Sequence, residues 1–195
     1  FMNNVGQHTA HIERVNLVDR KPLPRIPLPI STRFLDISPT GKWVAVLQNE
    51  SSSDGSPVEF NLWRIVGRDV QPAVSLVPFN KELRSFFNFN LFREKNRHEI
   101  GDATFLDQDR HLFVQTDDAA VMLNLETSQG IYVLQPTLCA FSPGRRYLVA
   151  YLWSQRELVM LEALTGRCVG KLDLDGGGEP HCLGFSADGT KLAAA

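Results

Sequence analysis

Few side chains in this sequence are spaced for chemistry. Ser186 and Asp188 lie in Gly184-Phe185-Ser186-Ala187-Asp188-Gly189, which is not the Gly-x-Ser-x-Gly elbow that presents an attacking serine. Ser and Asp in such a segment cap and bend backbone instead. The chain has no phosphate-cradling Gly-x-x-x-x-Gly-Lys and no His-Glu-x-x-His pair, and His8, His11, His98, His111 and His181 are scattered. Asp173, Asp175 and Glu179 bring hard oxygens together but lack the third ligand and the x5-Glu spacing of a calcium loop, so they read as a polar connection. His181-Cys182 with Cys139 falls short of a zinc ligand set. The residues therefore predict no catalytic group, no metal site and no cofactor. The three cysteines, Cys139, Cys168 and Cys182, show no CxxC spacing and are odd in number. They read as buried thiols of a reducing, cytoplasmic compartment, with a Cys139–Cys182 disulfide as the alternative.

Charge and hydropathy narrow the partners. Lys plus Arg number 20 against 22 Asp plus Glu, a formal net charge of −2 with no basic stripe, so nucleic acid is not the expected partner. The longest apolar run, Tyr147 to Trp153, is far shorter than the roughly 18 residues of a membrane span. No membrane partner is expected, and no signal peptide is visible after the opening Phe1-Met2.

The elements that would position any site come from a pattern written several times. Phe141-Ser142-Pro143-Gly144-Arg145-Arg146-Tyr147-Leu148 is answered by Phe185-Ser186-Ala187-Asp188-Gly189-Thr190-Lys191-Leu192. The same apolar-plus-seven frame recurs from Ile37 to Val44 and from Phe105 to Leu112. A second half follows: Leu125-Glu126-Thr127-Ser128-Gln129-Gly130 lines up with Leu161-Glu162-Ala163-Leu164-Thr165-Gly166, each 20 positions after its Phe. Short runs of β-branched and aromatic residues cut by Gly, Pro, Asp and Ser read as strands and turns. One small sheet cannot bury both faces alone, so copies must stack. Starts 36 and 44 positions apart (Phe105, Phe141, Phe185) approach the roughly 40–45 residues of a four-stranded propeller blade.

At these residues the sequence resembles the WD-repeat β-propellers. Phe185-Ser186-Ala187-Asp188-Gly189 looks like their first turn, and Leu62-Trp63-Arg64 like their tryptophan–aspartate strand end. No Trp-Asp pair is intact, since Arg64, Glu126 and Glu162 stand at the aspartate position, and no Gly-His pair precedes a unit. The Gly176-Gly177-Gly178-Glu179-Pro180-His181 stretch is also similar to YVTN-type and lactonase-like bacterial propellers. The resemblance implies an all-β partial propeller with blades at about 33–78, 101–135, 136–175 and 180–195, the last incomplete, in a chain that is a piece of a longer one. In the first blade the strands are expected near Phe34–Ile37, Trp43–Gln48, Phe60–Val66 and Ala73–Val77.

Two segments fall outside the repeat. Residues 1–32 form a lead-in, with a strand within His11–Val18 and a polyproline-like stretch from Lys21 to Pro29. Residues 79–100 are an aromatic and basic insert. Its Phe86, Phe87, Phe89, Phe92 and Arg93 are the candidate partner-binding residues, because inserted loops on a rigid scaffold carry binding and Phe and Arg anchor interfaces. The alternative is a plug that packs onto the blades.

Two functions follow. The first is a non-catalytic interaction scaffold that binds a protein partner or another domain of the same chain. The second is a lactonase-like or quinoprotein-like enzyme with a small molecule or metal in a central channel, held by polar residues of the innermost strands. The runs Val44-Ala45-Val46, Val149-Ala150-Tyr151 and Leu192-Ala193-Ala194, taken as innermost, place no charge there and favour the scaffold.

Overall fold

The computed structural model describes residues 11–15, 18–28, 32–48, 59–66, 69–72, 100–116, 119–127, 129–135, 138–174 and 178–195. Every regular element among them is a β-strand. β1 (His11–Val15) and β2 (Pro22–Pro27) form an antiparallel hairpin. Three four-stranded sheets follow: β3 (Thr32–Ile37) to β6 (Asp69–Pro72) through β4 (Trp43–Gln48) and β5 (Glu59–Val66); β7 (Ile100–Leu106), β8 (His111–Thr116), β9 (Ala120–Asn124) and β10 (Gln129–Leu134); and β11 (Leu138–Phe141), β12 (Tyr147–Leu152), β13 (Glu157–Glu162) and β14 (Cys168–Leu172). A two-stranded sheet, β15 (Leu183–Phe185) with β16 (Leu192–Ala194), comes last. In each four-stranded sheet the spatial order of strands is the chain order, as expected of blades of a propeller.

The sheets stack face to face, and alternation along a strand decides which neighbour each side chain meets. On β12, Leu148 and Ala150 share a core with Leu106, Phe113 and Met122 of the second sheet. Val149 and Tyr151, their neighbours in sequence, share one with Leu183, Phe185 and Leu192 of the last sheet. On β8, Leu112 and Val114 meet Ala45 and Leu62 of the first sheet, while Phe113 points the other way and stands edge-on to Phe141, ring centroids 5.1 Å apart. Burial on both faces is why these strands read as continuous apolar runs rather than as alternating ones.

The hairpin caps one end of the stack. Ile26 and Leu28 are buried, and Leu28 packs with Val44, Val46 and Trp63 while Ile12 closes over them. Of the stretch read as polyproline-like, Pro22–Pro27 is instead a strand paired with β1, His11 opposite Pro27 and Ile12 opposite Ile26, and Pro29 lies outside the described residues. Among the described residues β2 pairs only with β1, and on an unpaired side the N–H groups that proline lacks are not needed.

Three further expectations are corrected. The fourth strand of the first sheet is Asp69–Pro72; Ala73–Val77 lies outside the described residues. The Leu125–Leu161 alignment is off by two, because Leu123 stands opposite Leu112 as Leu161 stands opposite Leu148. The equal 20-position spacing reflects a repeated Leu-Glu pair in hairpins of different length. Finally, β3 lies beside β7 and β11 beside β15, so the first strand of each sheet is the inner one. The runs Val44-Ala45-Val46, Val149-Ala150-Tyr151 and Leu192-Ala193-Ala194 belong to second strands, so their lack of charge says nothing of the inner strands.

Candidate functional site: the turn rim and the outer cleft

The first turns of the four sheets from β3 onward share an apolar frame, and the β7–β8 turn departs from the other three in having Asp107 and Gln108 left-handed as well. The apolar pairs Ile37–Val44, Phe105–Leu112, Phe141–Leu148 and Phe185–Leu192 face each other across the first hairpin. The fourth residue after each leading apolar residue is left-handed: Gly41 (φ 70°), Asp109 (φ 75°), Arg145 (φ 53°) and Gly189 (φ 71°). Two of the four are glycines, which take this conformation without strain. Ser38, Ser142 and Ser186 close three of these turns. Each accepts on its hydroxyl oxygen from a backbone N–H across the turn, that of Trp43, Tyr147 or Lys191 at 2.9–3.0 Å. At Asp188, bonds from Ser186 Oγ and from the backbone N–H and hydroxyl of Thr190 hold the carboxyl down to about 2. The serine and aspartate of this motif therefore shape backbone.

Successive turns are joined along one rim. The hydroxyl and the backbone N–H of Thr40 both donate to the Asp109 carboxylate, tying the first sheet to the second. Asp36 accepts from Phe105 N–H at 3.1 Å, and the Arg145 guanidinium donates to Phe105 C=O. One residue of β7 is thereby held from both neighbouring sheets. Asp36, with Arg33 and Asp102, supplies the charge of the inner strands.

Burial pushes the Asp36 carboxyl above its usual value, against the lowering effect of bonds from Phe105 and Ile37 N–H groups and of nearby Arg145. A raised folded pKa favours the protonated folded state, so this stabilisation is complete below the unfolded value near 3.8 and is lost as pH rises through the folded one. Relative to Asp36→Asn, wild-type unfolding free energy should therefore decline as pH climbs from near 3.8 through the raised folded value, and level off above it. Chemical denaturation across the acid range checks it, and a rise would refute the assignment.

The outer side is built differently. Tyr132 of β10 donates its hydroxyl to Ala163 C=O and lays its ring over Gly166 (φ 70°), in the third turn of the next sheet, between β13 and β14. Among the exposed apolar side chains, Ile131 and Val133 stand on β10, Val169 on β14 and Trp153, 52% exposed, in the β12–β13 turn, while Phe34 and Val66 stand on β3 and β5. An open cleft of about 750 Å³ is lined by Tyr151, Leu158 and Leu172 and by the charged Arg156, Glu157, Lys171, Asp173 and Glu179, with His181. Glu157 and Lys171 are bonded to each other, which raises the lysine.

The sequence-derived candidates fare unevenly. Phe86, Phe87, Phe89, Phe92 and Arg93 lie outside the described residues, as does Asp175. Asp173, Glu179 and His181 do share the cleft, but among the described residues no three His, Cys, Asp or Glu are grouped to hold a metal. The cysteine expectation of buried thiols fails for Cys168 and Cys182, which are exposed, and Cys139 is partly buried, its thiol pushed up to about 12 by desolvation; all three are free thiols. Alkylation at neutral pH should label Cys168 and Cys182 and spare Cys139 until the chain unfolds, since only the thiolate attacks. Mass mapping of labelled peptides checks it. Sequence reasoning missed the exposed Trp153 and the cleft, which depend on which strand lies outermost.

No protein family and no curated protein matches this chain. Among solved structures it is similar to the hydrazine synthase of Kuenenia stuttgartiensis, with a TM-score of 0.50 and 13% identity over 97% of this chain. The chain spans 63% of the length of that protein chain. No helix among the described residues is long and apolar enough to cross a membrane. Fold and similarity together place the chain among all-β architectures of stacked, four-stranded, propeller-like blades.

Proposed function

We propose that this chain is a non-catalytic interaction scaffold of WD-repeat-like blades, serving a protein partner or another domain of its own polypeptide. The observation that carries this reading is the division of labour among its side chains. The polar groups of the turn rim, Thr40, Asp109, Asp36 and Arg145, are engaged in joining sheets, while Trp153, Ile131, Val133 and Val169 are presented outward. Exposed aromatic and β-branched side chains on a rigid frame suit a protein partner. The insert with Phe86, Phe87, Phe89, Phe92 and Arg93 adds a second contact surface of the same chemistry.

The enzyme reading draws support from one observation, the charged Arg33, Asp36 and Asp102 on the inner strands. Asp36 accepts from its neighbour Ile37 N–H and from Phe105 N–H of the second sheet, and the latter bond is a joining role. A cross-linking capture comparing the chain with a variant lacking residues 79–100 and with Trp153→Ala tests the scaffold. Loss of defined cross-links with unchanged melting temperature supports it. Unchanged cross-links with lost solubility make the insert a plug and overturn its assignment as a contact surface.

A further inference from the structure

We propose that β10 is a self-association edge, which pairs antiparallel with β10 of a second copy across a two-fold axis. This does not rest on the scaffold reading; it gives two of the outward side chains, Ile131 and Val133, to a second copy of this chain. β10 is the outermost strand of the second sheet, which holds four strands and has a four-stranded sheet on either face. Among the described residues it pairs only with β9. Ile131 is 40% exposed and Val133 37%, so neither side chain is covered.

The strand pairing fixes which backbone groups face outward. Leu125 N–H donates to Arg110 C=O, so Leu123 and Val121, at every second position along β9, also bond to β8. Met122 and Ala120 turn the other way and bond to Tyr132 and Leu134, which stand opposite them. Val133, between those two, directs its N–H and C=O away from the sheet. A two-fold axis beside Val133 sets it opposite its own copy, the two exchanging both bonds, and sets Tyr132 opposite Leu134. Each of these cross-strand pairs is apolar, the kind that stabilises a sheet. The register shift between Gly130 and Tyr132 ends the regular stretch there, so the join is short and the dimer weak.

The outer strands of the neighbouring sheets are guarded where β10 is not. Edge strands avoid pairing through charge, lysine above all, and through proline. β6 carries Asp69 and Pro72. On β14, Lys171 stands opposite Val159 as Val133 stands opposite Val121, and Val159 and Val121 hold the same place in their sheets. Lysine thus takes on the third sheet the outward-directed position that valine takes on the second. β10, Gln129-Gly130-Ile131-Tyr132-Val133-Leu134, has neither charge nor proline. The occupant is a second copy because this edge is its own complement: turned upon itself it brings no like charges together. A formal net charge of −2 also leaves little repulsion between copies.

Val133→Lys gives β10 the residue that β14 already has. Sedimentation over a concentration series should show the wild type passing from one chain to two. In the variant, association should be weakened about tenfold or more, with an unchanged circular dichroism spectrum. Mixing Val133→Lys with Val133→Glu should restore the two-chain mass, because the two residues then face each other with opposite charge. Should the variants misfold, hydrogen exchange on the wild type decides: the Val133 amide should exchange freely when dilute and slow on concentration, while those of Tyr132 and Leu134 stay protected throughout. A wild type that stays a single chain up to about 1 mM, a Val133→Lys variant that associates as the wild type does, a mixture that stays single chains, or a Val133 amide indifferent to concentration each overturns the proposal.

Discussion

Gly166→Ala should destabilise the chain by about 2–5 kcal/mol, against about 1–2 kcal/mol for Gly41→Ala. Both glycines are left-handed at φ 70°, so the backbone penalty of a Cβ is common to the two. Their surroundings differ. A Cβ on Gly41 meets nothing within 4 Å, whereas on Gly166 it comes within 2.6 Å of Cγ and Cδ1 of Tyr132. That ring cannot swing aside cheaply, because its hydroxyl is fixed to Ala163 C=O and these are the atoms nearest its backbone. Equilibrium unfolding of both variants measures the difference. Introducing Tyr132→Ala beside Gly166→Ala should recover the excess, since residues in contact couple. Equal costs at the two glycines would remove the Tyr132–Gly166 contact from the account.

Phe105→Ala is the second large effect, about 3–5 kcal/mol. Phe105 is fully buried in the core between the first and second sheets, among Ala45, Leu62, Leu112 and Val121. Its truncation leaves a cavity that two paired sheets cannot close without breaking strand register. Phe34→Ala, on β3 with its ring 42% exposed, should cost under about 1 kcal/mol. Denaturant midpoints of the two variants at equal m-value check the contrast. Similar costs would mean that the sheets do not stack through Phe105.

The turn frame was legible because an apolar residue and another seven positions on are the two sides of one hairpin, as Phe141 and Leu148 are. The left-handed position was legible only where glycine marks it, at Gly41 and Gly189; Asp109 and Arg145 hold the same conformation without a sequence signal. The second-half alignment failed because Leu-Glu pairs recur at two different places relative to the strand pairing, opposite turns of unequal length. Strand rank within a blade was hidden for another reason. β12 is buried on both faces while β11 is half-buried, so hydropathy marks the second strand and not the innermost. The exposure of Cys168 on outer strand β14, the seat of Tyr132 on the next sheet and the cleft all follow from rank, and were hidden with it.

The central claim is that consecutive residues of one strand serve different neighbouring sheets, and methyl nuclear Overhauser contacts at β12 test it directly. Leu148 methyls should contact the Phe113–Met122 side, and Val149 methyls the Leu183–Phe185–Leu192 side, with no crossover. Both sets of methyls reporting the same neighbours would mean a single continuous sheet closed on one core, and would contradict stacked blades.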